Sequence, residues 1–177
     1  MELTPAMQRY VLHWGEMGGR WGANRSIAQI QALLYLSAEP LPAETIAETL
    51  SIARSNVSTS LKELQSWGLV RATHRLGERR ELFESLHDPW ELFRRIVEER
   101  KKREIDPTLE VLRACVAEAE ADGRTPETAR RRMQDMLGFL ELFDGWFREV
   151  RALPKATLLG LARAGGGVAK LLGRLPG

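Results

Sequence analysis

One cysteine and three histidines leave little material for catalysis or metal binding. A lone Cys115 forms no internal disulfide, which fits a reducing compartment. His13, His74 and His87 fall in different predicted elements, and none stands at metal-ligand spacing with Cys115, so no metal and no cofactor is expected. Long hydrophobic runs are missing as well. No stretch reaches the ~18 apolar residues that a spanning helix needs, so stable membrane insertion is not expected. The opening MELTPAMQRYVLHWGE has neither the basic start nor the apolar core of a signal peptide, and a cytoplasmic protein is expected. A phosphate-cradling loop is also lacking, because Gly165-Gly166-Gly167 has no strand before it and no Lys-Ser/Thr after it. No catalytic residue emerges, and an enzyme is not expected. Cys115 shares an apolar helix stripe with Leu112 and Val116 and reads as a core residue, with a redox-sensing thiol as the alternative.

An apolar share of 44% and a charged share of 28% describe a soluble globular chain. Its 177 residues hold one ordinary domain with a dimerisation appendage. The net charge of +2 is too small to argue for nucleic acid by itself, but its distribution is uneven. Between Arg71 and Arg80 the bases Arg71, Arg75, Arg79 and Arg80 face only Glu78, while acid collects at Glu39, Glu44 and Glu48. A local basic patch is what a phosphate-contacting surface requires.

Helical periodicity dominates. Thr4-Pro5 caps a helix to about Met17, which Gly15, Gly18, Gly19 and Gly22 are expected to break into a loop. Ser26 is placed to cap a second helix with Ile27, Ile30, Leu33 and Leu34 on one face. Pro42 opens a third through Leu50, striped by Ile46 and Ala47. After the turn Ser51-Ile52-Ala53, a fourth helix should run from Arg54 to Trp67 and stop at Gly68. The period then shortens to two. Residues 69–75 and 81–84 flank Gly77-Glu78 and read as a β-hairpin. Asp88-Pro89 opens a basic helix, Asp106-Pro107 marks a kink or a fresh capped start, and Asp122-Gly123 ends that segment. Thr125-Pro126-Glu127 starts the last firm helix, with Met136, Leu140, Phe143 and Phe147 on its apolar side. From Arg151 onward no acid occurs and glycines thin the pattern, which reads as a frayed tail or a weak amphipathic contact.

Helix, helix, short turn, helix, hairpin is the plan of a winged helix-turn-helix. The expected fold is therefore mainly α with a small β-hairpin, a winged helix-turn-helix with a helical dimerisation region. Four segments follow: an N-terminal packing helix and loop (1–25), a DNA-binding domain (26–86), a helical dimerisation region (87–150) and a basic Gly-rich tail (151–177). A helix that enters the major groove must bury one stripe and leave the other small and polar. With Val57, Leu61 and Leu64 inward, the opposite face carries Ser55, Thr59, Lys62 and Ser66, flanked by Asn56 and Ser58. Three serines, a threonine and an asparagine within residues 55–60 are mediocre helix formers, a cost that a plain scaffold helix has no reason to accept. Candidate contacts to double-stranded DNA are Arg54, Ser55, Asn56, Ser58, Thr59 and Lys62 on the helix, with Arg75 and Arg79 bracketing the wing tip. The rival is a winged helix that binds protein instead, which would need an apolar outer surface on that helix.

Several stretches, IAQIQALLYLSAEPLPAETIAETLSIARSNVSTSLKELQSWGLV above all, then FES, DPW and RKKREIDPTLEVL, resemble the GbsR branch of MarR-type regulators over roughly residues 10–120. The resemblance implies a homodimer that binds a palindromic operator, usually as a repressor, under the control of a small-molecule effector such as a choline-like compound. It also implies an effector site where the DNA-binding and dimerisation parts join. Of the five tryptophans, Trp14, Trp21 and Trp90 lie outside the DNA-reading core. Their faces could cage a quaternary ammonium through cation–π attraction, or they could simply pack an interface. Two departures bear on the reading helix. Ser51 stands where the family commonly has a turn glycine and Ala53 where it commonly has a Ser cap, so the start of that helix is expected to be less well fixed.

Overall fold

Thr4 and Pro5 open the first helix as the sequence predicts. The Thr4 hydroxyl accepts the Met7 N–H at 3.3 Å, and Pro5 supplies a φ that is already helical. The computed structural model describes residues 1–172. In it, helix α1 (Pro5–Arg20) continues through Gly15, Gly18 and Gly19, against the expected break. The cause is packing. A Cβ on Gly18 would stand 2.5 Å from the Cβ of Ala28 on helix α2 (Arg25–Leu36), so glycine is what lets the two helices approach. Only residues 21–24 form a loop between them. Asn24, not Ser26, caps α2, its Oδ1 accepting the Ser26 N–H at 2.8 Å.

Helix α3 (Ala43–Leu50) begins one residue after Pro42, and helix α4 spans Arg54–Ser66 with Trp67 as its C-cap. The expected hairpin forms from β2 (Val70–Thr73) and β3 (Leu82–Ser85), antiparallel, with Val70 opposite Ser85 and Thr73 opposite Leu82. Leu41 and Pro42 form a short strand, β1, that the sequence does not signal. It pairs with the other edge of β3, Leu41 opposite Phe83, so the sheet order is β1-β3-β2. Two prolines so close together mask a strand, yet an edge position tolerates the missing donor.

The core gathers Ile30, Leu33 and Leu34 of α2, Ile46 of α3, Val57, Leu61 and Leu64 of α4, and Leu69 and Phe83 of the hairpin. Each such side chain contributes about 1.5–3 kcal/mol on burial. Helix α5 (Pro89–Arg100) is capped by Asp88, whose Oδ1 accepts the N–H groups of Trp90 at 2.9 Å and Glu91 at 3.3 Å. Leu92 and Ile96 pack it against this core, and the Arg100 guanidinium donates to the Trp21 carbonyl oxygen. One compact unit thus comprises residues 1–102, and a second begins at Arg103.

Asp106-Pro107 makes no capped start. A π-helical turn, Lys101–Ile105, leads into α6 (Asp106–Ala121), accommodating the backbone donor that Pro107 lacks. Asp122 closes α6 by accepting the N–H groups of Arg124 at 2.8 Å and Thr125 at 2.9 Å, which holds its carboxyl below the usual range. Helix α7 (Glu127–Ala152) lies along α6, joined by Arg113–Glu141 at 2.9 Å and Gln134–Glu120 at 2.8 Å. Within the expected tail a further helix, α8, spans Lys155–Leu172. Alanines and leucines carry it through its glycines. Gly173 and Arg174 of the expected tail lie outside the described residues. No helix among the described residues is long and apolar enough to cross a membrane.

Candidate nucleic-acid interface

Helix α4 rests on the stripe the sequence assigns to it. Val57, Leu61 and Leu64 are buried, while Arg54, Ser55, Ser58, Thr59, Lys62 and Ser66 are exposed. Asn56 is half-buried and works inward. Its Nδ2 donates to Ser26 Oγ of α2 at 3.0 Å, and its Oδ1 accepts from the buried Ser60 hydroxyl at 3.3 Å. Ser26 is thus the anchor of α4 rather than a helix cap. The Thr59 hydroxyl donates to the Ser55 carbonyl at 3.1 Å, which leaves an acceptor lone pair and a methyl group facing outward. No side-chain partner of Arg54 or Lys62 is found among the described residues.

The start of α4 carries the two departures noted in the sequence. Ser51 takes the left-handed conformation (φ 53°, ψ 44°), which costs a residue with a Cβ about 1 kcal/mol. Ala53 occupies the N-cap and supplies no side-chain acceptor. The first amides of α4 are therefore without a side-chain cap, and the positive end of the helix faces outward beside Arg54. Ala53→Ser is expected to raise stability by about 1 kcal/mol, seen as a higher urea midpoint at unchanged slope. An unmoved midpoint would mean that the helix start is already satisfied.

The wing is less basic than its sequence suggests. Arg71 pairs with Glu84 directly across the hairpin, Nε to Oε1 at 2.5 Å. Arg80 is held by Glu78 through contacts of 2.6 and 3.0 Å, and the Arg80 hydrogen bond holds the Glu78 carboxyl down at about 2. With that value below the usual carboxylate range, the pair is intact at neutral pH and is lost only as pH falls toward 2. Arg75 reaches Glu39 in the segment before β1. Only Arg79, of the four wing arginines, is exposed with no side-chain partner among the described residues. Hairpin register would have placed Glu84 opposite Arg71, but nothing local points to Glu39, which lies 36 residues away. Exposed ion pairs are worth about 0–1 kcal/mol, so phosphate can compete for Arg75. Glu39→Gln releases that arginine and removes a negative charge. It is expected to tighten binding to any duplex several-fold at low salt, by fluorescence anisotropy; unchanged affinity would remove Arg75 from the contact surface.

Trp14 packs against the core with its ring centroid 5.7 Å from Tyr10, Trp90 lies 6.4 Å from Phe93, and Trp21 is exposed. No ring contact joins any two of Trp14, Trp21 and Trp90 among the described residues. Cys115 is half-buried on α6. Among the described residues no three His, Cys, Asp or Glu side chains are grouped to hold a metal ion.

An exposed polar helix face, a cation at its start and an exposed arginine on the wing together offer hydroxyl and guanidinium donors on the surface of the first unit. Residues 23–81 match the model of the MarR family. No curated protein matches the chain. Among solved structures, a transcriptional regulator superposes with a TM-score of 0.63 at 17% identity, over 83% of this chain and 96% of that one. A mutant of S. aureus MepR bound to an oligodeoxyribonucleotide gives 0.38 at 15% identity, over 67% and 91%. A MarR-family regulator from Rhodococcus sp. RHA1 gives 0.38 at 20%, over 75% and 84%. Residues 23–81 therefore have a winged helix-turn-helix fold similar to that of the MarR family.

Proposed function

We propose that this chain is a sequence-specific DNA-binding regulator of transcription that acts as a homodimer. Helix α4 would enter the major groove, with Arg54, Ser55, Ser58, Thr59 and Lys62 toward the DNA and Asn56 fixing the helix on α2. Arg79, and Arg75 once released by Glu39, would lie along the adjacent backbone or minor groove. The observation that carries this reading is the division of α4 into a buried aliphatic stripe and an exposed stripe of hydroxyls and cations, without the apolar outer surface that a protein-binding winged helix needs.

Dimerisation is supported by the second compact unit, where Val111, Met136, Phe139, Phe143 and Trp146 are all exposed. Monomeric soluble proteins rarely leave so much apolar surface contiguous. A two-fold dimer would present two reading helices to half-sites about one helical turn apart. The resemblance to the GbsR branch supports repression and tuning by a small molecule. Choline and betaine are therefore the compounds to add once a bound duplex is in hand. The direct test of the reading is selection of bound sequences from random duplex DNA, followed by titration of the enriched site across a range of salt concentrations.

A further inference from the structure

The wing tip carries one side chain that neither charge nor packing accounts for. Leu76 is 104% exposed, the highest value for a large apolar side chain among the described residues, so it buries no surface in the fold. Its backbone is nevertheless closely held. The Arg75 carbonyl oxygen accepts the Glu78 N–H at 3.0 Å, closing a four-residue turn with Gly77 at its third position. Gly77 has φ +84° and Leu76 a negative φ, which together define a type II turn. On one side Arg75 is tied to Glu39; on the other Glu78 clamps both the guanidinium and the N–H of Arg80. The turn therefore presents the isobutyl group of Leu76 outward from a fixed base, three residues before the unpaired guanidinium of Arg79.

An apolar wedge beside a free cation is the combination by which proteins enter the minor groove. The cation follows the negative potential of a narrowed groove, and the apolar group packs on sugar faces or opens a base step. We infer that Leu76 is a minor-groove wedge that reads the sequence flanking the major-groove site through the deformability of its base steps. This inference rests on the DNA-binding reading above. It assigns to the tip an occupant, duplex DNA, because the only exposed apolar side chain of the turn sits among arginines. The α4 face would fix which base pairs lie under the tip, and Leu76 would discriminate among them without a hydrogen bond.

The test compares the full-length chain with Leu76→Ser on the selected duplex and on duplexes altered only in the flanks. Affinities are measured at several salt concentrations, with and without distamycin bound in the minor groove. Leu76→Ser is expected to bind the selected duplex about tenfold more weakly. Its salt slope should match the wild type, since no phosphate contact is lost. Its preference for a flexible TA step in the flank should disappear, and distamycin should weaken the wild type more than the variant, which keeps only the Arg79 contact. Thermal stability should be unchanged. Binding by the variant within twofold of wild type on every flank would overturn the wedge, as would a loss of affinity that follows a change in oligomeric state. Wild-type binding with an unaffected variant overturns this inference alone; wild-type failure on every duplex overturns the DNA-binding reading with it.

Discussion

Met136→Glu is expected to convert a dimer into monomers and to lower duplex affinity by two orders of magnitude or more. Met136 is 52% exposed on α7, in line with Phe139 (64% exposed) and Phe143, while Val111 is presented from α6. The side chains of Pro107, Val111, Leu112, Met136 and Leu140 border a shallow apolar recess. Burying such surface contributes about 1.5–3 kcal/mol for each large side chain, whereas burying an unpaired carboxylate costs more than that. Because about half of Met136 is exposed in the protomer, the substitution costs the fold of its own chain little. Losing one of two linked reading helices forfeits the gain from joining them, about a hundredfold to ten-thousandfold. Sedimentation gives the mass, and anisotropy on the selected duplex gives the affinity. A dimeric Met136→Glu, or a monodisperse monomeric wild type, would contradict this account of α7.

The second large effect is expected on α4 and separates attraction from reading. Reversing Arg54 and Lys62 together to glutamate should lower affinity for every duplex at least a hundredfold at low salt. Each lost phosphate contact removes about 0.9 from the slope of log affinity against log salt, so the salt dependence should flatten at the same time. Ser58→Ala and Thr59→Val act differently. Both positions are exposed and small, and neither substitution alters charge. They should cost about 1–3 kcal/mol on the selected duplex and little on random DNA. Asn56→Ala should weaken both kinds of duplex, since it frees α4 from Ser26 instead of removing a base contact. Equal losses on selected and random DNA for Ser58→Ala and Thr59→Val would refute this division of labour.

Much of the first unit is legible in the sequence because its signals are local and agree with one another. Val57, Leu61 and Leu64 repeat at helical spacing, Gly68 ends their helix, and Gly77 sits at the tip of a two-period pattern. What escapes the sequence depends on partners distant along the chain. Gly15, Gly18 and Gly19 look like a break until Ala28 is brought against Gly18. Leu41-Pro42 looks like a loop until β3 offers an edge. Ser26 resembles a cap and Asn56 a base reader, yet they bond to each other across 30 residues. The wing reads as strongly basic because its acidic partners, Glu39 and Glu84, lie outside the window that makes it look so. Leu76 attracts no notice in the sequence, since only the closed turn shows how completely it is presented.

The central claim is that α4 and the wing read duplex DNA, and selection from a random duplex pool tests it most directly. The purified chain is incubated with random double-stranded DNA at moderate salt, the retained fraction is amplified, and the cycle is repeated and sequenced. The account predicts an enriched palindrome whose half-site centres lie about 10 base pairs apart, with binding that weakens steeply as salt rises. Absence of any enriched sequence, with no salt-sensitive retention of duplex, would contradict it and would leave the winged helix as a surface for binding protein.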